Sequence, residues 1–116
     1  MRDNPVKRRL RDGGTAAGAM VFELLAPGLP QICRNAGADF LLYDMEHTGL
    51  GFETLKTQIA LCRGLSLVPM ARVPRGEYHF IARTLDLDAL GVARQALLVD
   101  VACRLGKLGF LGGERP

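Results

Sequence analysis

The sequence predicts an α/β domain built on a parallel sheet. Apolar, strand-like runs begin near positions 16, 39, 66 and 89. That recurrence, roughly every 25 residues with a helical pattern between each pair, is the rhythm of βα units joined by right-handed crossovers. The run Leu41-Leu42-Tyr43 also stops abruptly at Asp44-Met45-Glu46-His47, as a strand covered on both faces does where it emerges at a ligand-binding rim.

Each element has a local cause. Asn4 before Pro5 supplies a helix cap and a favoured first helical residue, and Gly13-Gly14 supplies the stop, so Pro5 to Asp12 reads as a short leading helix. Ala16 to Phe22 reads as the first strand, and Pro27-Gly28 turns the chain into a helix over Pro30 to Ala36, closed by Gly37. Asp39 to Tyr43 is the second strand. After a loop at Gly49 and Gly51, the positions Phe52, Leu55, Ile59 and Cys62 recur on one helical face, and that helix ends near Gly64. Ser66 to Val73 is the third strand, with Pro74 and Gly76 in the turn after it. Tyr78, Ile81, Ala82 and Leu85 are expected to form the next apolar face, and Ala89 to Val92 begins a fourth strand.

At 116 residues, 48% hydrophobic and 23% charged, the chain has the composition of one small globular domain and not of a disordered segment. The net charge of +3 resides mostly in Lys7, Arg8, Arg9 and Arg11, beside Asp3 and Asp12. With no aromatic residues interleaved to stack bases, this reads as a solvated helix face and argues against a nucleic-acid partner. Cys33, Cys62 and Cys103 are odd in number and lack a paired C-x-x-C, against both a disulfide framework and a zinc knuckle, so a cytoplasmic setting is expected. The basic start followed by Ala16 to Ala26 mimics a secretory signal, but Asp12 precedes it and Glu23 interrupts it. No stretch reaches the ~20 apolar residues of a membrane helix, so no membrane partner is expected.

The βα order places Glu23, the Asp44 to His47 group and Arg72 at successive carboxyl ends of strands, on one rim. Carboxylates beside an imidazole are the residue types of acid/base chemistry, and an arginine beside them suits an anion. Plainer roles compete for each: a helix-capping histidine for His47, a helix-start carboxylate for Glu46, and for Arg72 a rim arginine bonding loop carbonyls. His79 lies within a helical pattern and reads as structural or surface. Lys7, Lys56 and Lys107 fall in helix or tail positions, against a Schiff-base mechanism.

The segments Ala36-Gly37-Ala38-Asp39-Phe40, Asp44-Met45-Glu46-His47-Thr48-Gly49, Ala71-Arg72-Val73-Pro74 and Tyr78-His79-Phe80-Ile81-Ala82-Arg83, followed by Leu85-Asp86 and Ala89-Leu90-Gly91-Val92, together resemble the HpcH/HpaI aldolase and citrate lyase superfamily. The metal-dependent pyruvate aldolases are the nearest branch. The resemblance implies a (β/α)8 barrel, which takes about 250 residues, so residues 1–92 are expected to be its N-terminal fragment, three βα units and the start of a fourth strand. Residues 93–116 read as a divergent tail, frameshifted or truncated, because Ala93-Arg94-Gln95-Ala96 stands where the resemblance leads one to expect an apolar strand.

The implied activity is retro-aldol cleavage of a 2-oxo-3-deoxy or 4-hydroxy-2-oxo acid to pyruvate and an aldehyde, assisted by Mg²⁺ or Mn²⁺. Carried over by resemblance, His47 is the acid/base, Asp44 orients its imidazole, Arg72 binds the pyruvyl oxygens and Glu46 supports them. The implied metal-binding Glu and Asp have no counterpart in this chain. The implied partners are a small 2-oxo acid and further copies of a full-length chain. The alternatives are a CoA-thioester lyase of the citrate lyase β or malyl-CoA type, and a non-catalytic truncated barrel product.

Overall fold

The computed structural model describes residues 3–93. The expected divergent tail begins at Ala93, which is the last residue of the fourth strand; its remainder, residues 94–116, lies outside the described residues. Four helices and four strands alternate: α1 (Pro5–Arg11), β1 (Gly18–Val21), α2 (Leu29–Asn35), β2 (Phe40–Asp44), α3 (Phe52–Leu61), β3 (Val68–Arg72), α4 (Tyr78–Asp86) and β4 (Gly91–Ala93). The strands form one sheet in the order β1-β2-β3-β4, every pair parallel. No described helix is long and apolar enough to cross a membrane.

The local signals act as expected. Asn4 Oδ1 accepts the Lys7 N–H at 3.0 Å, while its Nδ2 donates to Leu90 O at 2.9 Å, so one side chain both caps α1 and ties it to the entry of β4. Gly37 and Gly64 follow α2 and α3 with φ of +95° and +78°, a conformation open to glycine and strained for other residues. Strand β2 runs one residue further than its apolar run suggests, so Asp44 is its last residue.

Alternation along the strands gives the sheet two different faces. Leu41, Tyr43 and Ala71 pack against the helix layer, where Leu55, Ile59 and Cys62 of the α3 face are buried. Phe40, Leu42 and Val68 face the other way and pack with Val6 of α1 and with Ala93. Asp44 and Arg72, register partners at the ends of β2 and β3, continue this second face to the rim.

Close packing on that face excludes side chains at two points. A Cβ at Gly18 would stand 2.5 Å from the Phe40 ring and from its carbonyl oxygen, and one at Gly91 would stand 2.7 Å from Met70 Cε. Both glycines sit opposite a large residue in the register.

Helix α4 departs from expectation. Ile81 and Ala82 are half-buried, but Tyr78 is 85% and Leu85 50% exposed, and the one fully buried residue is Thr84. Thr84 Oγ1 donates to Phe80 O at 2.7 Å, which satisfies the hydroxyl within its own helix and lets this small polar residue be buried. Phe80 stacks on Phe52 of α3 at 6.0 Å, and the Arg83 guanidinium lies 4.2 Å from the centre of the Phe52 ring. These contacts set the rotation of α4 and turn the Tyr78 and Leu85 row outward.

Gly18→Ala is expected to destabilise the fold by about 1–3 kcal/mol, since the added methyl meets a backbone oxygen that cannot yield without moving β2. Gly91→Ala should cost less, because Met70 Cε is the end of a flexible side chain. Urea denaturation of the two variants measures the difference, and equal losses would contradict this account of the sheet.

Candidate active site

The centre of the site is an ion pair made by register. Asp44 and Arg72 are neighbours across β2 and β3 on the same face, and adjacent strands stand about 4.8 Å apart. Arg72 therefore reaches Asp44 with two parallel hydrogen bonds, Nε to Oδ1 at 2.8 Å and Nη2 to Oδ2 at 2.5 Å. The Asp44 side chain is fully buried and that of Arg72 is 12% exposed. Among the described residues the remaining guanidinium nitrogen, Nη1, donates to no protein acceptor.

Asp44 also shapes the turn that follows it. Its Oδ1 accepts the backbone N–H of Glu46 at 2.8 Å and of His47 at 3.3 Å. Thr48 Oγ1 donates to Asp44 O and accepts the Leu50 N–H at 3.1 Å, closing the turn. Burial alone would push the Asp44 carboxyl up, but the Arg72 guanidinium and the two backbone N–H groups outweigh it and hold the carboxyl below its ordinary value of 3.8. Asp44 in turn makes Arg72 still more basic. The pair is ionised at neutral pH.

The structure thus brings Asp44, Glu46 and Arg72 together, with Glu46 Oε2 3.4 Å from Arg72 Nε. The resemblance gives Asp44 the task of orienting the His47 imidazole; here its oxygens are occupied by Arg72 and by main-chain N–H groups, and what it holds of His47 is the backbone. The imidazole is 58% exposed and lies 3.4 Å from Glu46 Oε2. It caps no helix, since α3 is entered from Gly51. Glu46, His47 and Thr48 form one wall of an open cleft of about 920 Å³, and Phe22, Glu23 and Leu25 from the segment after β1 line it as well. Glu23 therefore faces the cleft and not the ion pair. His79 is a surface residue of α4, beside Glu77 and Phe80.

Two residues that build the site escape a reading of the sequence. One is Thr48, through the turn just described. The other is Gln58, 2% exposed on the apolar stripe of α3. Its Nε2 donates to Leu25 O at 2.8 Å and its Oε1 accepts from Tyr43 Oη at 3.3 Å, fastening the segment after β1 to β2. Burial, with Cys62 Sγ 3.7 Å away, pushes the Tyr43 phenol up and keeps it protonated as the donor. The available signal was a polar residue three positions from Leu55 and four from Cys62, within an otherwise apolar stripe.

Comparisons with known proteins converge. No protein-family model matches the chain. It is 32% identical to a hydroxypyruvate/pyruvate aldolase of Roseobacter denitrificans, over 94% of this chain and 45% of that protein. It is 33% identical to a 4-hydroxy-2-oxovalerate aldolase of Novosphingobium aromaticivorans, over 97% of this chain and 46% of that protein. The chain thus spans less than half the length of these curated relatives. Among solved structures, an HpcH/HpaI aldolase/citrate lyase family protein of Burkholderia cenocepacia superposes with a TM-score of 0.67 at 28% identity, over 78% of this chain and 36% of that one.

A depressed carboxyl contributes stability above its unfolded-state value and loses it as pH falls through the folded-state value. Asp44→Asn, which removes the two-bonded counter-charge of buried Arg72 and leaves it only the more distant Glu46, is expected to cost about 3 kcal/mol at pH 7. The difference from the unaltered chain should narrow as pH drops below 3.8 and the natural carboxylate takes up a proton. Urea midpoints measured from pH 7 to pH 3 check this, and a gap that widens on acidification would contradict it.

Proposed function

The chain is a relative of the HpcH/HpaI aldolases, matching their N-terminal part, and on that premise we propose that its rim is the anion-holding and proton-carrying part of an aldolase active centre. The reaction is cleavage of a 4-hydroxy-2-oxo or 2-oxo-3-deoxy acid to pyruvate and an aldehyde. The observation that carries this reading is the Asp44–Arg72 pair, which among the described residues leaves Nη1 of a fixed guanidinium without a protein acceptor, with a solvent-reachable imidazole in the turn after the neighbouring strand.

Each residue then has a physical task. Asp44 locks the Nε and Nη2 edge of Arg72, so the guanidinium is presented in one orientation at no further entropic cost. Arg72 holds the oxygens of the 2-oxo acid and stabilises the negative charge that grows on the keto oxygen as the C3–C4 bond breaks. His47 takes the proton from the C4 hydroxyl, and a proton returned to C3 completes pyruvate.

Among the described residues no group of three or more His, Cys, Asp or Glu side chains is placed to hold a metal ion. On this reading the described residues contribute charge, hydrogen bonds and a proton carrier to a reaction for which the resemblance implies Mg²⁺ or Mn²⁺. The same reading carries with it a small 2-oxo acid as partner, a cytoplasmic setting and self-association of a full-length form.

The test joins residues 1–93 to the matching remainder of the Roseobacter denitrificans aldolase and follows pyruvate release from a 4-hydroxy-2-oxo acid with and without Mn²⁺. His47→Ala in that chimaera is expected to lower kcat about 10²–10⁴-fold, the usual contribution of a positioned acid/base. Arg72→Lys should raise KM as well as lower kcat, because an ammonium cannot reproduce the fork. Release at an unchanged rate in His47→Ala would remove the acid/base assignment.

A further inference from the structure

No hydrogen bond joins Asp44 to the His47 ring among the described residues. The Asp44 Oδ1 already accepts from Arg72 Nε and from the N–H groups of Glu46 and His47, and its Oδ2 from Arg72 Nη2. The carboxylate is buried, and turning it towards the ring would break the pair that holds both strands' ends.

Glu46 is the opposite case. Its Oε2 is buried and has no hydrogen-bond partner among the described residues, and its side chain is only 9% exposed. A buried carboxylate oxygen without a donor is costly, and native structures seldom leave one. Two nitrogens lie within reach, Arg72 Nε and His47 Nε2, each at 3.4 Å. Arginine Nε carries a single hydrogen, and Arg72 gives it to Asp44 at 2.8 Å. His47 Nε2 is then the donor that remains. The imidazole is more than half exposed, so a small ring rotation shortens the contact without disturbing the core.

We infer that Glu46, and not Asp44, is the carboxylate that positions the His47 imidazole, holding Nε2–H on its Oε2 and leaving Nδ1 as the atom that exchanges protons in the cleft. A hydrogen bond at one ring nitrogen fixes which nitrogen is the base. Glu46 is thus a positioning residue that acts through His47, with Arg72 behind it and Glu23 along the same cleft as the other charged groups near the ring. The task of the proton carrier rests on the aldolase reading, whereas the Glu46–His47 pairing does not.

The chain holds two histidines, and the second is a built-in control. His79 Nδ1 lies 3.6 Å from Glu77 Oε2, but there both partners are half-exposed or more, so solvent competes for each.

The measurement is the ¹⁵N spectrum of the imidazole nitrogens in the complete 116-residue chain, at alkaline pH where both rings are neutral. His47 is expected to show Nε2 as its protonated nitrogen. In Glu46→Ala both His47 resonances should shift towards the averaged positions of a freely exchanging ring, with His79 unmoved. Glu46→Gln, which keeps an acceptor oxygen at that place, should restore the natural pattern. An averaged or Nδ1-protonated His47 ring in the unaltered chain would overturn the inference, and that observation does not depend on any variant folding. Identical His47 spectra in the unaltered chain and a folded Glu46→Ala would overturn it too. If Nε2–H is held on Glu46 but the chimaera's pyruvate release ignores His47→Ala, the pairing stands and the aldolase reading alone falls.

Discussion

The buried pair between Asp44 and Arg72 is the constraint on which the rim depends. Side chains in a strand alternate between faces, so a slip of one residue between β2 and β3 would put the carboxylate and the guanidinium on opposite sides of the sheet. Each charge would then be buried alone, at a cost a domain of this size could not bear. The register is reinforced on either side of the pair by main-chain bonds, Met45 N to Arg72 O at 2.9 Å and Val73 N to Ala93 O at 3.0 Å. The ladder therefore continues past the last side chains that need it. Because Asp44 also accepts two main-chain N–H groups, the same carboxylate that fixes Arg72 decides where Glu46 and His47 emerge.

The opposite face of the sheet reaches the cleft by a different route. Tyr43 sits one residue before Asp44 and points into the helix layer, where it donates to Gln58, which in turn holds Leu25. Neighbouring residues of one strand thus secure the two sides of the cleft, Asp44 through the turn of Glu46 and His47, and Tyr43 through the segment that carries Glu23. A polar chain inside an apolar layer is tolerable when every member is satisfied, and it then allows one arrangement where a purely apolar layer would allow several.

The fold was readable in the sequence because its punctuation is local. Asn4, Pro5, Gly37 and Gly64 act within a turn of themselves, and the apolar runs between them have the lengths of strands and helices. The clustering of Asp44, Glu46, His47 and Arg72 on one rim was readable from the βα order. What was hidden depends on three-dimensional alignment. That Asp44 faces Arg72 across the sheet follows from register over 28 residues, and with it goes the observation that its oxygens accept from the arginine and from the main chain. The rotation of α4 was hidden as well: Tyr78 and Leu85 fit a helical period, but the contacts of Phe80, Arg83 and Thr84 decide which row faces inward. Gln58 was passed over because a glutamine does not announce that both ends of its amide are occupied.

Asn4 bears on the order in which the chain can assemble. Its bond to the Lys7 N–H is available as soon as α1 is made, while its bond to Leu90 O joins residues 86 positions apart. Closing so long a loop is slow and waits on nearly all of the intervening chain. During synthesis, which runs from the N-terminal side, α1 can pack through Val6 on Phe40, Leu42 and Val68 before the Asn4 side chain meets its second partner beside the fourth strand. The bond from Asn4 to Leu90 O is therefore among the last contacts to form within the described residues.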